Sequence, residues 1–94
     1  MEKDRKAVMV RITGKVQGVS FRVWTRMEAR KLGLAGWVRN EDDGSVTALI
    51  AGTDAAVAAM MDRLWQGPVG ASVRDVASQD IEPDEDFADF RITV

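Results

Sequence analysis

In Val8-Met9-Val10-Arg11-Ile12-Thr13-Gly14 an apolar side chain stands at every second position, the period of a strand with one buried face, ending at Gly14. From Ser20 the period lengthens. Phe21, Trp24, Thr25, Ala29 and Leu32 fall on one side of a helix, with Ser20 placed to cap it and Gly33 to end it. Arg22, Arg26 and Arg30 line a second, polar face beside Glu28. Further on, Trp37 and Val38 begin a short strand and Val46 to Ile50 form another. Glu41-Asp42-Asp43-Gly44 between them carries the Asp-Gly signature of a hairpin, so the two are expected as antiparallel neighbours. Thr53 or Asp54 caps a second helix in which Val57, Met60, Met61 and Leu64 recur at helical spacing, and Gly67-Pro68 stops it. Strand character returns from Val73 to Ile81, and Phe90, Ile92 and Val94 alternate once more. The order β-α-β-β-α-β with a short closing strand predicts an α+β fold: a ferredoxin-like α/β sandwich whose antiparallel sheet carries two helices on one face.

A chain of 94 residues, 46% hydrophobic and 30% charged, supports one core, so residues 1–94 are read as one domain with 1–7 a flexible, charged lead-in. Thirteen Lys and Arg against fifteen Asp and Glu leave a net charge of -2, and no global positive field favours nucleic acid. Residues 1–7 are not followed by the apolar segment of a leader, and no run approaches the roughly 18 apolar residues of a membrane span. The expected location is cytoplasmic, with no membrane partner. Cys and His are both absent. Disulfides, thiolate nucleophiles, iron–sulfur clusters and Cys-ligated zinc are thereby excluded, along with the commonest neutral-pH general base. Carboxylates, amides, hydroxyls, Lys and Arg remain, and neither a metal nor another cofactor is expected. The acidic run from Asp80 to Asp89, with Pro83 inside it, reads as a solvated loop without the spacing of a Ca²⁺ site. Trp24, Trp37 and Trp65 read as core or core-edge residues rather than a stacking platform.

Gly14-Lys15-Val16-Gln17-Gly18-Val19-Ser20-Phe21-Arg22 joins the first strand to the first helix. Glycine lets backbone N–H groups converge with no Cβ between them, and a helix N-terminus adds unpaired donors and a positive dipole end. The loop is a candidate anion cradle. Arg22, in the first turn, is placed to fold back over it with a planar fork that matches two oxygens of a phosphate. Two glycines at a strand-to-helix turn are also ordinary, and an Arg on a helix is ordinarily solvated, so spacing leaves both readings open. Lys15 and Gln17 are weaker candidates, since loop side chains of these types are usually just exposed.

Taken with Gly36-Trp37-Val38-Arg39-Asn40 and then Asp43-Gly44, the loop string resembles the acylphosphatase family. The resemblance runs from Val8 to Val94, including the Gly67-Pro68 helix end and the Phe90 strand. It implies that the backbone amides of Val16, Gln17, Gly18, Val19 and Ser20 bind a phosphate, that Arg22 holds the same phosphate, and that Asn40 orients an attacking water. It also implies hydrolysis of an acyl phosphate by direct attack of that water with no phosphoenzyme, which leaves Ser20 a capping residue and not a nucleophile. Glu41 and Asp42 stand where family members often carry Thr or another uncharged side chain; pointed inward, they would oppose an anion.

The residue inventory suits this chemistry. An acyl phosphate releases a carboxylate whose conjugate acid has a pKa on the order of 4, so departure needs no general acid. Positioning and charge stabilisation carry phosphoryl transfer, which a set of N–H donors and one Arg supply. The Asn40 amide has an acceptor and two donors, enough to hold a water in line; without the resemblance, Asn40 equally suits a strand end that bonds its local backbone. The expectation is a monomeric acylphosphatase with a small-molecule acyl phosphate as substrate and inorganic phosphate as product. One alternative is a non-catalytic anion-sensing or interaction domain. Another is an RNA-binding module of the same element order, which needs aromatics that Val46-Thr47-Ala48-Leu49-Ile50 lacks. Read as complete, the chain suits a free-standing enzyme and not a domain of a larger carbamoyl-transfer protein.

Overall fold

Five strands and two helices follow one another in the expected order in the computed structural model, which describes residues 5–82 and 89–93. They are β1 (Arg5–Lys15), α1 (Phe21–Lys31), β2 (Ala35–Asn40), β3 (Val46–Thr53), α2 (Asp54–Gln66), β4 (Ser72–Ile81) and β5 (Phe90–Ile92). The strands form one sheet in the order β4-β1-β3-β2-β5. Alternation decides its inner face: Val8, Val10, Ile12, Val38, Val46, Ala48 and Ile50 are buried, and Phe21, Ala29, Val57, Met60 and Leu64 close over them from the two helices. Each large apolar side chain so buried contributes about 1.5–3 kcal/mol.

The helix ends follow local chemistry. Thr53 is extended, and its Oγ1 accepts the Ala56 N–H at 3.1 Å, which caps α2. Arg30 and Lys31 sit in the last turn of α1, where cations suit the dipole. Glu28 reaches across to Arg63 at 2.6 Å and along the helix to Lys31 at 3.4 Å, so it ties α1 to α2 instead of supporting Arg26 and Arg30.

Several expectations shift. The lead-in expected over residues 1–7 is already strand from Arg5, because Arg5, Lys6 and Ala7 pair with Thr53, Gly52 and Ala51, and Ala7 is buried; residues 1–4 lie outside the described residues. Strand β1 does not end at Gly14 but passes through a bulge between Thr13 and Gly14 and pairs Lys15 with Ser72. The closing strand enters the otherwise antiparallel sheet parallel to β2, from Gly36 opposite Phe90 to Val38 opposite Ile92. The acidic run is not one loop: Asp80 belongs to β4, and Asp89 takes Arg30 in a two-pronged pair (3.1 and 2.8 Å) while its Oδ1 accepts the Phe90 N–H at 2.7 Å. Pro83, Asp84, Glu85 and Asp86 lie outside the described residues. Trp24 packs against the core, but Trp65, on the outer side of α2, is 48% exposed.

The hairpin between β2 and β3 is locked at Asp43. Its Oδ1 accepts both the Ser45 backbone N–H (2.9 Å) and the Ser45 hydroxyl (2.6 Å), and Arg11 of β1 pairs with its other oxygen. The Ser45 hydroxyl, then the Ser45 N–H, then Arg11 hold the Asp43 carboxyl well below its ordinary 3.8. A carboxyl depressed on folding stabilises fully above its unfolded value and loses that contribution as the pH falls below it toward the folded value. Asp43→Asn is therefore expected to lower the melting temperature at pH 7, with the gap to the parent closing as the pH drops below about 4. Thermal melts between pH 7 and pH 2 check this; a gap that stays constant would mean that Asp43 acts through shape and not charge.

Candidate active site

Between β1 and α1 the chain is pinned by apolar anchors and turned outward by left-handed residues. Val16 and Phe21 are buried in the core, and Val19 packs half-buried against it. Gly18 has φ 76 and Ser20 φ 61. A Cβ on Gly18 would meet nothing within 4 Å, so the backbone angle and not lack of room calls for glycine there. Ser20 carries the same handedness at a cost of about 1–2 kcal/mol. That conformation also undoes the expected cap: an N-cap side chain reaches the helix N–H groups from the extended region, and the Ser20 side chain makes no cap bond. The first helical bond runs from the Trp24 N–H to the Ser20 carbonyl at 3.0 Å. Among the described residues, the N–H groups of Gln17 to Val23 make no bond to another backbone group, which leaves a row of donors at a positive helix end.

Gln17 holds this loop in place. Its Nε2 donates to the carbonyl oxygens of Glu41 (2.8 Å) and Ser45 (2.9 Å), the two residues that flank the hairpin turn. The loop is thereby tied to the end of β2, where Asn40 sits. Asn40 shares the parity of Val38, which is fully buried on the helix side, so pleating aims its amide toward α1 and the loop. No hydrogen bond to the Asn40 side chain occurs among the described residues.

These pieces meet in one cavity of about 360 Å³. The loop contributes Val16, Gln17, Gly18 and Ser20; the first turn of α1 contributes Phe21, Arg22 and Val23; β2 contributes Asn40 and β5 contributes Ile92. Of the residues expected from the sequence, only Val19 does not line it, because its side chain turns into the core. Lys15, Arg26 and Arg30 are elsewhere, leaving Arg22 as the one cation in the lining, without an ion-pair partner among the described residues. Arg26, one turn along, buries its Nε without a partner among the described residues. Glu41 and Asp42 do not line the cavity. The Glu41 carboxylate bonds the Arg39 Nε at 2.8 Å, which also keeps its pKa below the ordinary range, and Arg39 stacks 4.8 Å over Trp37 on the opposite side of the sheet. Phe21, Val23 and Ile92 were not singled out as site residues from the sequence; the alternation of Phe90 and Ile92 was the signal available for one of them.

One guanidinium, a row of backbone donors and an outward amide around a cavity of this size suit a tetrahedral oxyanion and a water beside it. Comparison with known proteins bears on the same residues. The family model described as Acylphosphatase matches residues 8–92. A protein from Rhizobium meliloti (strain 1021) named acylphosphatase is 67% identical over 93 residues, 99% of this chain and 98% of that protein. Among solved structures, an acylphosphatase from Coxiella burnetii superposes with a TM-score of 0.91 at 37% identity, covering 96% of this chain and 94% of that one. One from Bacillus subtilis superposes with a TM-score of 0.92 at 34% identity, covering 95% and 99%.

Removing the Gln17 tether tests the loop geometry. Both carbonyls it serves keep a backbone donor, Glu41 from Gly44 (3.2 Å) and Ser45 from Glu41 (2.9 Å), so Gln17→Ala orphans neither. The expected result is a loss of about 1 kcal/mol in loop preorganisation, a roughly fivefold weaker affinity for inorganic phosphate with little change in melting temperature. Titration of both proteins with phosphate reads this, and unchanged affinity would show that the loop needs no tether.

Proposed function

The chain belongs to the acylphosphatase family and hydrolyses acyl phosphates, and we propose that it does so by in-line attack of water on a phosphoryl group seated over residues 16–20. The observation that carries this reading is the convergence of the loop donors, Arg22 and Asn40 on one cavity. The backbone amides of Val16, Gln17, Gly18, Val19 and Ser20 bind the phosphoryl oxygens, and Arg22 spans two of them. Charge that builds on those oxygens in the transition state meets donors already in position, so little reorganisation is needed. Asn40 accepts a hydrogen bond from the water and holds its oxygen in line with the bond to be broken.

The step balances without a further group. The water oxygen forms the new P–O bond, the P–O bond to the acyl oxygen breaks, and its electron pair leaves on the carboxylate. The proton shed by the water passes to solvent or to the phosphate product. A carboxylate leaves as an anion at neutral pH, so no general acid is called on. Ser20 acts through its backbone only; its left-handed conformation serves the cradle. Because charge stabilisation comes from amides and a guanidinium, the reaction proceeds without a metal or other cofactor.

The same proposal takes residues 1–94 as one domain and the enzyme as a monomer in the cytoplasm, acting on a small molecule and not on nucleic acid or a membrane. No helix among the described residues is long and apolar enough to cross a membrane. The non-catalytic anion-sensing reading is not favoured, since similar proteins along nearly the whole chain carry the name of an enzyme.

Metal removal and substitutions at Arg22 and Asn40 test the assignment. Turnover of benzoyl phosphate is expected to be unchanged by EDTA; activity lost to EDTA and restored by Mg²⁺ would overturn metal independence. Arg22→Ala is expected to weaken inhibition by inorganic phosphate and to lower kcat/KM, and Arg22→Lys to restore neither, since an ammonium lacks the planar fork. Asn40→Ala is expected to lower kcat by about a hundredfold or more while the inhibition constant for phosphate stays within a few-fold of the parent. Equal loss of phosphate binding in both alanine variants would refute the division of roles.

A further inference from the structure

We infer that the cavity selects acyl phosphates whose acyl group is apolar and uncharged, seated against Val23 and Ile92. The inference rests on the reading above, which places the phosphoryl group on the loop. With that end assigned to Gln17, Gly18, Ser20 and Arg22, and Asn40 given to the water, what remains of the lining is apolar: Val23 and Ile92, with the buried Phe21 and Val16. Val23 is 44% exposed although it is β-branched and apolar, and Met27, one turn further along α1, is 50% exposed. Residues four apart share a helix face, so an apolar strip leads outward from the cavity mouth.

Ile92 reaches the site because β5 runs parallel to β2, which sets Ile92 opposite Val38, two residues before Asn40. The Thr93 N–H donates to the Val38 carbonyl at 2.9 Å and the Arg30–Asp89 pair holds the strand's other end, so this wall is fixed from both sides. A cavity of about 360 Å³ has room for more than a phosphate.

Charge points the same way. Arg22 is the one cation in the lining, and the phosphoryl group uses it. A second anionic group on the acyl chain would be brought against Val23 and Ile92 with no second cation in the lining to pair with, and would lose hydration that the lining does not replace. A methyl at the same place loses only unfavourable contact with water.

Butyryl phosphate and succinyl phosphate test this, because their acyl chains match in length and differ by a terminal methyl against a terminal carboxylate. The parent enzyme is expected to show kcat/KM about tenfold or more higher for butyryl phosphate, mostly through KM. Val23→Ala should raise KM for butyryl phosphate by about threefold to tenfold while leaving the inhibition constant for inorganic phosphate unchanged. Val23→Lys should shift the ratio of the two kcat/KM values toward succinyl phosphate by about tenfold. Equal kcat/KM for the two substrates in the parent, or a lysine variant that moves both by the same factor, would overturn the acyl wall. Failure of the underlying reading looks different: Arg22→Ala would then leave phosphate inhibition intact, whereas a fallen acyl wall with Arg22→Ala defective in phosphate binding would leave that reading in place.

Discussion

Val8, Val10, Ile12, Val38, Val46, Ala48 and Ile50 are sealed between the sheet and two helices, and that one-sided burial sets the register on which everything else rests. Side chains alternate across a strand, so a slip of one residue in any of these strands would exchange the buried and solvated sets and expose the core. The same constraint aims the chemistry. Asn40 continues the parity of Val38 and therefore faces the helices, while Arg39 faces the other way and takes the Glu41 carboxylate with it. The pleat of the strand that brings Asn40 to the cavity thus turns the neighbouring acidic residue away from it.

The site is made mostly of backbone. Its donors are N–H groups that a helix N-terminus leaves unpaired, and the chain presents them by holding Gly18 and Ser20 in left-handed conformations between three apolar anchors. The cost of a left-handed Ser20 is borne by the burial of Val16 and Phe21 on either side. Anchored in this way, the donors are already in place, which is what the proposed positioning mechanism requires: donors that need not move add nothing to the barrier. The Gln17 side chain extends that anchoring across to the hairpin, where Asp43 and Ser45 fix the turn. The leaving group explains why so little else is present. A carboxylate departs unaided, and a chain without His or Cys loses nothing by it.

Packing at the ends of α1 joins fold to specificity. At its C-terminal end Arg30 grips Asp89, whose carbonyl accepts the Gly36 N–H at 3.0 Å and whose carboxylate caps Phe90. That cluster seats β5 beside β2 and so brings Ile92 to the cavity at the helix's other end. The pair is about half exposed and adds little stability by itself; its role is geometric.

Local periodicity and turn chemistry determined the element order, the inner face, the hairpin, a cap at Thr53 or Asp54 and the loop string from Gly14 to Arg22, because each of these is a relation among residues a few positions apart. The strand-end position of Asn40 was legible from the hairpin, while its part in a site was marked only by the family resemblance. Only the tertiary structure decided the parallel seating of β5, the pairing of Arg5 to Ala7 with β3, the Gln17 bonds to Glu41 and Ser45, and the turn of Glu41 toward Arg39 and away from the cavity. It also decided that Ser20 is left-handed and caps nothing. These depend on segments distant in sequence that meet when the sheet closes, and a one-dimensional pattern carries no signal for which edge a short strand joins or which carbonyl a glutamine finds.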